Sequence, residues 1–204
     1  MISSFATQPD ITINLLLGGG IDSAALIAYY LLRGAIVRGI HFNYGQPSIE
    51  GERRSILALS QHYGIYVTTV DLGFSMTNTQ GEYPCRNATM LLTAASIFSA
   101  KGGIFSIGIH SGTPYYDCSQ LFMVDTQRLF EGYFSGTIQV EAPFLEFTKK
   151  DIFEFCHLNQ VPIEITFSCE RRGDYPCGKC PSCKDRRMLD EGYGNLPIAK
   201  YFDN

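Results

Sequence analysis

Two groups of residues in this 204-residue chain have types and spacing suited to chemistry, one near each end. The first is Gly18-Gly19-Gly20-Ile21-Asp22-Ser23, which separates the apolar run Ile11-Thr-Ile-Asn-Leu-Leu-Leu17 from a second apolar segment. Glycines let the chain turn sharply and expose backbone N–H groups at the start of a helix, where the dipole favours an anion. The expected guest is a phosphate, with Ser23 offering a hydroxyl and Asp22 poised near a metal bound to phosphates. Two phosphate loops fit poorly. The Walker loop needs Gly-x4-Gly-Lys-Ser/Thr, and no lysine stands between Gly18 and Leu32; the dinucleotide fingerprint meets Ser23 where its third glycine belongs. A plain strand-to-helix turn would use the same glycines, but it has no need of the Asp-Ser pair.

The second group is Cys169-x7-Cys177-x2-Cys180-x2-Cys183, with Cys85, Cys118 and Cys156 lying apart. Seven cysteines without an export signal favour a metal over a disulfide scaffold. Four thiolates close a tetrahedral zinc site and leave no open position, so the expected metal is structural; an iron-sulfur cluster accepts the same donors. Arg186 follows the last cysteine by three residues, where a helix beginning near the metal would aim it inward.

These groups need a frame. Apolar, β-rich runs at 11–17, 36–42 and 65–70 alternate with helical stretches at 21–33 and 48–63, which end at Gly34 and Gly64. A helix over 88–100, a strand over 104–109, a helix over 120–134, a strand over 137–141 and a helix over 148–158 continue the pattern. Such alternation predicts an α/β fold, a doubly wound parallel sheet, whose ligands bind beyond the carboxyl ends of the strands. The irregular stretch 72–86 is long enough to be functional. The expected division is a nucleotide-binding domain over 1–165 and a small C-terminal zinc-binding module over 166–204.

A composition of 45% hydrophobic and 18% charged residues describes a globular chain. No run reaches the roughly 18 apolar residues of a membrane span, and Met1 to Gln8 lacks the basic-then-apolar order of a leader, so a cytoplasmic location is expected. The net charge of −4 gives no general attraction to long nucleic acid. His41, His62, His110 and His157 form no familiar ligand or triad spacing.

Taken together and in order, the two groups resemble the 7-cyano-7-deazaguanine synthases of the queuosine pathway, within the PP-loop ATP pyrophosphatases. Phe42-Asn-Tyr44-Gly-Gln46 resembles that family's Phe-Asp-Tyr-Gly-Gln, and Arg86-Asn87 its Arg-Asn before a helix. Asp117-Cys118 with Phe122, Thr148-Lys149, and the segment from Thr166 to Arg186 match further motifs in order. The resemblance implies a Rossmann-like fold of the adenine nucleotide alpha hydrolase type and a homodimer. It also implies an enzyme that adenylates 7-carboxy-7-deazaguanine with ATP and Mg2+, lets ammonia attack, and activates the amide again to reach the nitrile. Gly18, Gly19, Gly20, Asp22 and Ser23 would hold the nucleotide, with Asp22, Ser23 and Lys149 catalytic. Tyr44, Gln46, Arg86, Asn87, Asp117 and Arg186 would face the substrate, and Cys169, Cys177, Cys180 and Cys183 would bind zinc.

Three departures stand out. Gly18 replaces the family's leading serine, Pro47-Ser48 replaces basic residues, and Ser119-Gln120 lacks the arginine and proline usual after Asp-Cys. The last two concern the substrate more than the ATP chemistry. Other readings are a paralogue passing the activated acid to another amine, such as a protein in antiviral defence, and a tRNA sulfur transferase using Cys85 and Cys118. A non-catalytic nucleotide- and zinc-binding interaction module is the remaining one.

Overall fold

The computed structural model describes residues 12–79, 82–98, 102–110, 112, 114–173 and 175–193. Apolar β-formers build five strands: β1 (Thr12–Leu16), β2 (Ile36–Asn43), β3 (Tyr66–Asp71), β4 (Gly103–Ser106) and β5 (Ile138–Glu141). All pair in parallel, in the order β3-β2-β1-β4-β5. The order runs outward in both directions from β1, so the sheet has its switch point between β1 and β4. Central pairing is in register through Leu15↔Gly39 on one side and Leu15↔Ser106 on the other.

Parallel neighbours require crossovers, and the helices supply them. They are α1 (Ile21–Leu31), α2 (Ile49–Tyr63), α3 (Arg86–Phe98), α4 (Gln120–Phe134), α5 (Lys149–Leu158) and α6 (Pro181–Tyr193). Side chains alternate along β1: Ile13, Leu15 and Leu17 pack with α1, α2 and α5, while Leu16 packs with α3 and α4 on the opposite face. Tyr30 pins the layers together, its hydroxyl lying 2.9 Å from Ser106 Oγ and 2.8 Å from Glu141 Oε2. Burial raises its pKa, consistent with a hydroxyl that stays protonated.

The expected doubly wound sheet is therefore present, with adjusted boundaries. The helix expected at 88 starts at Arg86, and the strand expected over 104–109 ends at Ser106. Past Ser106, Ile107 still bonds to the sheet edge, donating to Glu141 O at 3.0 Å. The chain then crosses the first turn of α1, where a Cβ on Gly108 would lie 3.5 Å from Asp22 Cβ. The start of the first expected strand at Ile11, the helix end at 99–100 and the tail from 194 lie outside the described residues. Among the described residues no helix is long and apolar enough to cross a membrane.

Candidate active site

The last sheet bond of the first crossover runs from Leu17 N to Ile40 O at 2.9 Å, and the glycine turn begins there. Gly19 holds φ +76°, and a Cβ on it would sit 3.1 Å from the Glu52 carbonyl oxygen. Its own carbonyl accepts from Ser55 Oγ at 2.6 Å and from Phe167 N at 2.9 Å. In a trans peptide the next N–H points the opposite way, so this clamp fixes the direction of the Gly20 amide. Gly20 caps α1 without a side chain, which leaves the amides of the first turn for a ligand. Gly18 differs: its N–H donates to Ser23 Oγ at 2.9 Å, and the Ser23 hydroxyl keeps its own proton to donate.

The turn opens into a cleft of about 660 Å³. It lies where strands β1 and β4 part, the position expected for ligands of such sheets. Asp22, Ser23, Tyr44, Gln46, Arg86, Asn87, Lys149 and Arg186 all line it. Lys149 opens α5 directly after the capping residue Thr148, and its Nζ lies 3.5 Å from Asp185 Oδ2 of α6. Arg186 is held by Asp190 at 3.0 Å and by Thr166 Oγ1 at 3.2 Å. Burial pushes the Tyr44 hydroxyl up to about 12, opposed by the neighbouring Arg86 guanidinium.

Two expected substrate residues are engaged with the protein. Gln46 accepts from Tyr44 N at 2.9 Å and donates to Phe42 O at 2.9 Å and Glu52 Oε2 at 2.8 Å. Asp117 is not among the lining residues; its backbone oxygen accepts from Asn87 Nδ2 at 3.1 Å, so it supports Asn87 from behind. Cys85 and Cys118 also lie off the cleft lining, which leaves the sulfur-transfer reading without either of its two thiols in the site.

Sequence patterns passed over His41, His110, Glu52 and Asp185, all of which the fold brings to this region. His110 Nδ1 accepts from Gly112 N at 3.0 Å, and its Nε2 lies 3.9 Å from Asp22 Oδ2. Burial holds His110 below the ordinary histidine value, against the pull of the Asp22 carboxylate. His41 lies in β2, and His110 follows β4 by four residues. Their signal was position, because strand ends of a parallel sheet face the ligand.

The four cysteines of the C-terminal segment converge, their sulfur atoms all within 4.8 Å of one another. A tetrahedral zinc–thiolate site with bonds of about 2.3 Å separates its sulfurs by roughly 3.8 Å, so a small contraction suits this set to zinc. Backbone N–H groups of Lys179 and Cys180 each lie 3.4 Å from Cys177 Sγ and hold its thiol down to about 6. Cys169, Cys180 and Cys183 are buried with Phe167. Glu170 caps the start of α6 through Ser182 N at 3.1 Å, and Cys169 itself borders the cleft.

A family model described as queuosine biosynthesis protein QueC matches residues 12–83 and 77–194. The chain belongs to the QueC family. Among its relatives is the 7-cyano-7-deazaguanine synthase of Gloeothece citriformis, 31% identical over 89% of this chain and 93% of that protein. The synthase of the same name from Desulfotalea psychrophila is 28% identical over 92% and 97%, and that of Methanothermobacter thermautotrophicus 30% over 86% and 92%. Among solved structures, NMN synthetase from Francisella tularensis superposes with a TM-score of 0.50 at 15% identity, covering 95% of this chain and 91% of that one. A 4-thiouridine synthetase, in complex with RNA and bound ATP, gives 0.51 at 21% identity, covering 88% and 50%. These structures share the fold. The relatives make this QueC chain similar to queuosine-pathway synthases over most of its length.

Proposed function

We propose that this QueC-family chain adenylates the carboxylate of 7-carboxy-7-deazaguanine and passes the acyl group to ammonia, giving the amide and, by a second activation, the nitrile. The carrying observation is the convergence of the uncapped glycine turn, Asp22, Ser23 and Lys149 on one cleft at the sheet's switch point. Adenylation replaces a poor oxide leaving group with AMP, and charge builds on the departing pyrophosphate. The amides of the first turn of α1 and the Ser23 hydroxyl meet that charge, and Lys149 neutralises part of it once it leaves Asp185. Asp22 would hold Mg2+, which would neutralise part of the phosphate charge. Tyr44, Arg86, Asn87 and Arg186 border the acid, while Gln46 and Asp117 act through Glu52 and Asn87.

Residues 1–165 form the nucleotide-binding part in this reading, and 166–204 the metal-binding part. Zinc held by Cys169, Cys177, Cys180 and Cys183 is structural, a cross-link that fixes α6 and its Asp185 and Arg186 against the cleft.

The test is ATP/pyrophosphate exchange with magnesium and 7-carboxy-7-deazaguanine, with products followed by mass spectrometry. Exchange and nitrile formation are expected, and Asp22→Ala should lower exchange at least 100-fold, the order of a lost transition-state charge contact. A wild-type protein that shows no acid-dependent exchange refutes this function.

A further inference from the structure

His41 lines the cleft yet is only 1% exposed, and its Nδ1 lies 2.9 Å from the Leu17 carbonyl. A carbonyl only accepts, so Nδ1 carries a proton, and whenever the ring is neutral its Nε2 presents a bare lone pair. Among the described residues, this Nε2 is the buried side-chain nitrogen or oxygen that lacks a hydrogen-bond partner. A charged group beside it is another acceptor, Glu52 Oε2, at 4.0 Å.

That distance is too long for a direct hydrogen bond. The carboxylate does not turn away, because Ser48 Oγ donates to Oε1 at 2.6 Å and Gln46 Nε2 to Oε2 at 2.8 Å. Each oxygen keeps a further lone pair. With the ring neutral, two acceptors thus stand side by side, and among the described residues none donates to Nε2. An anion or a carbonyl ligand would be repelled there. A small cation carrying several N–H donors satisfies both at once, and the carboxylate favours its charge.

We propose that His41 Nε2 and the Glu52 carboxylate bind the nitrogen nucleophile as an ammonium ion. This inference rests on the amide-forming reaction proposed above. Both residues adjoin the glycine turn, His41 through the Leu17 carbonyl and Glu52 through its backbone contact with Gly19, so the amine waits beside the activated acid. Ammonium has no lone pair for attack. One proton passes to His41 Nε2, leaving an imidazolium that Glu52 stabilises. The freed ammonia forms the C–N bond to the acyl carbon, the C–O bond to AMP breaks with its electron pair on the phosphate oxygen, and the second surplus proton leaves to solvent.

The direct test uses the intact protein labelled with 15N-histidine, its His41 signal assigned by comparison with His41→Asn. The Nε2 resonance should move on adding ammonium chloride and stay in place with potassium chloride at equal ionic strength. The kinetic test sets ammonium against hydroxylamine, which is largely uncharged near neutrality and needs no proton acceptor before it attacks the acyl adenylate. Glu52→Gln should lower the ratio of ammonium-derived product to hydroxamate at least tenfold, a ratio from which any adenylation defect cancels. A resonance that ignores ammonium, or follows potassium equally, overturns the site, as does an unchanged product ratio. Failure of adenylation would remove both products and refute the proposed reaction, while the resonance titration still reads the ion site.

Discussion

At Gly18 the glycine turn has room that Gly19 lacks. No heavy atom lies within 4 Å of a Cβ placed on Gly18, so Gly18→Ser, which restores the hydroxyl usual in the family, should fold within about 0.5 kcal/mol of the parent. Its pyrophosphate exchange should equal or exceed the parent's. Gly19→Ala is expected to lose about 1 kcal/mol or more, because φ +76° and the Glu52 carbonyl both oppose a side chain. For a chain of this size that is a fall of roughly 2–4 °C in Tm by calorimetry. That Asp22 and Ser23 follow a glycine turn and that the four cysteines cluster was legible, because local spacing alone brings those residues together. His41, His110 and Glu52 were not. Their meaning arises only when sheet order carries the ends of β2 and β4 to the glycine turn, a contact between distant parts of the chain. Gln46 sat in a recognisable motif, yet its three bonds to Tyr44, Phe42 and Glu52 depend on a bend that the motif does not spell out.

Among the elements, α5 has the most explicit start. Thr148 Oγ1 accepts from Asp151 N at 3.2 Å while Asp151 Oδ2 accepts from Thr148 N at 2.7 Å, a reciprocal cap that sets Lys149 at the cleft. The Thr148 hydroxyl and amide hold the Asp151 carboxyl below its ordinary value. A carboxylate whose folded pKa is depressed stabilises the protein above its unfolded pKa of about 3.9 and loses that contribution as pH falls through the lower, folded value. The Tm gap between the parent and Asp151→Asn should therefore be full at neutral pH and close under acid, as thermal melts across that range would record. Helix α6 depends on the cysteines instead, since Cys180 precedes it and Cys183 lies in its first turn. Chelation or Cys183→Ser should release bound zinc, lower Tm and slow exchange together, because Asp185 and Arg186 ride on that helix; metal analysis beside the exchange assay checks it. The sequence announced the strands and α1, α2, α4 and α5 to within a few residues, as periodicity within one element is a local property. It did not announce where β4 stops, because Gly108 leaves the sheet to pass over α1, and that crossing is tertiary.

For the molecule as a whole, one aromatic ring helps to seat the C-terminal segment on the parallel-sheet part. Phe167 packs against Gly51 of α2, where any Cβ would overlap the ring, and its N–H holds the Gly19 carbonyl. Gly51→Ala favours α2 by about 1 kcal/mol in helix propensity yet expels Phe167. The expected result is a protein of near-parental helix content whose residues beyond 166 are cleaved faster by added protease and whose exchange is impaired; circular dichroism with limited proteolysis would show both. That seat also imposes a schedule on biosynthesis. The glycine turn receives its Phe167 donor only after the ribosome has made about 150 further residues, so a nascent chain carries the turn long before it owns the contact that holds the Gly19 carbonyl in place.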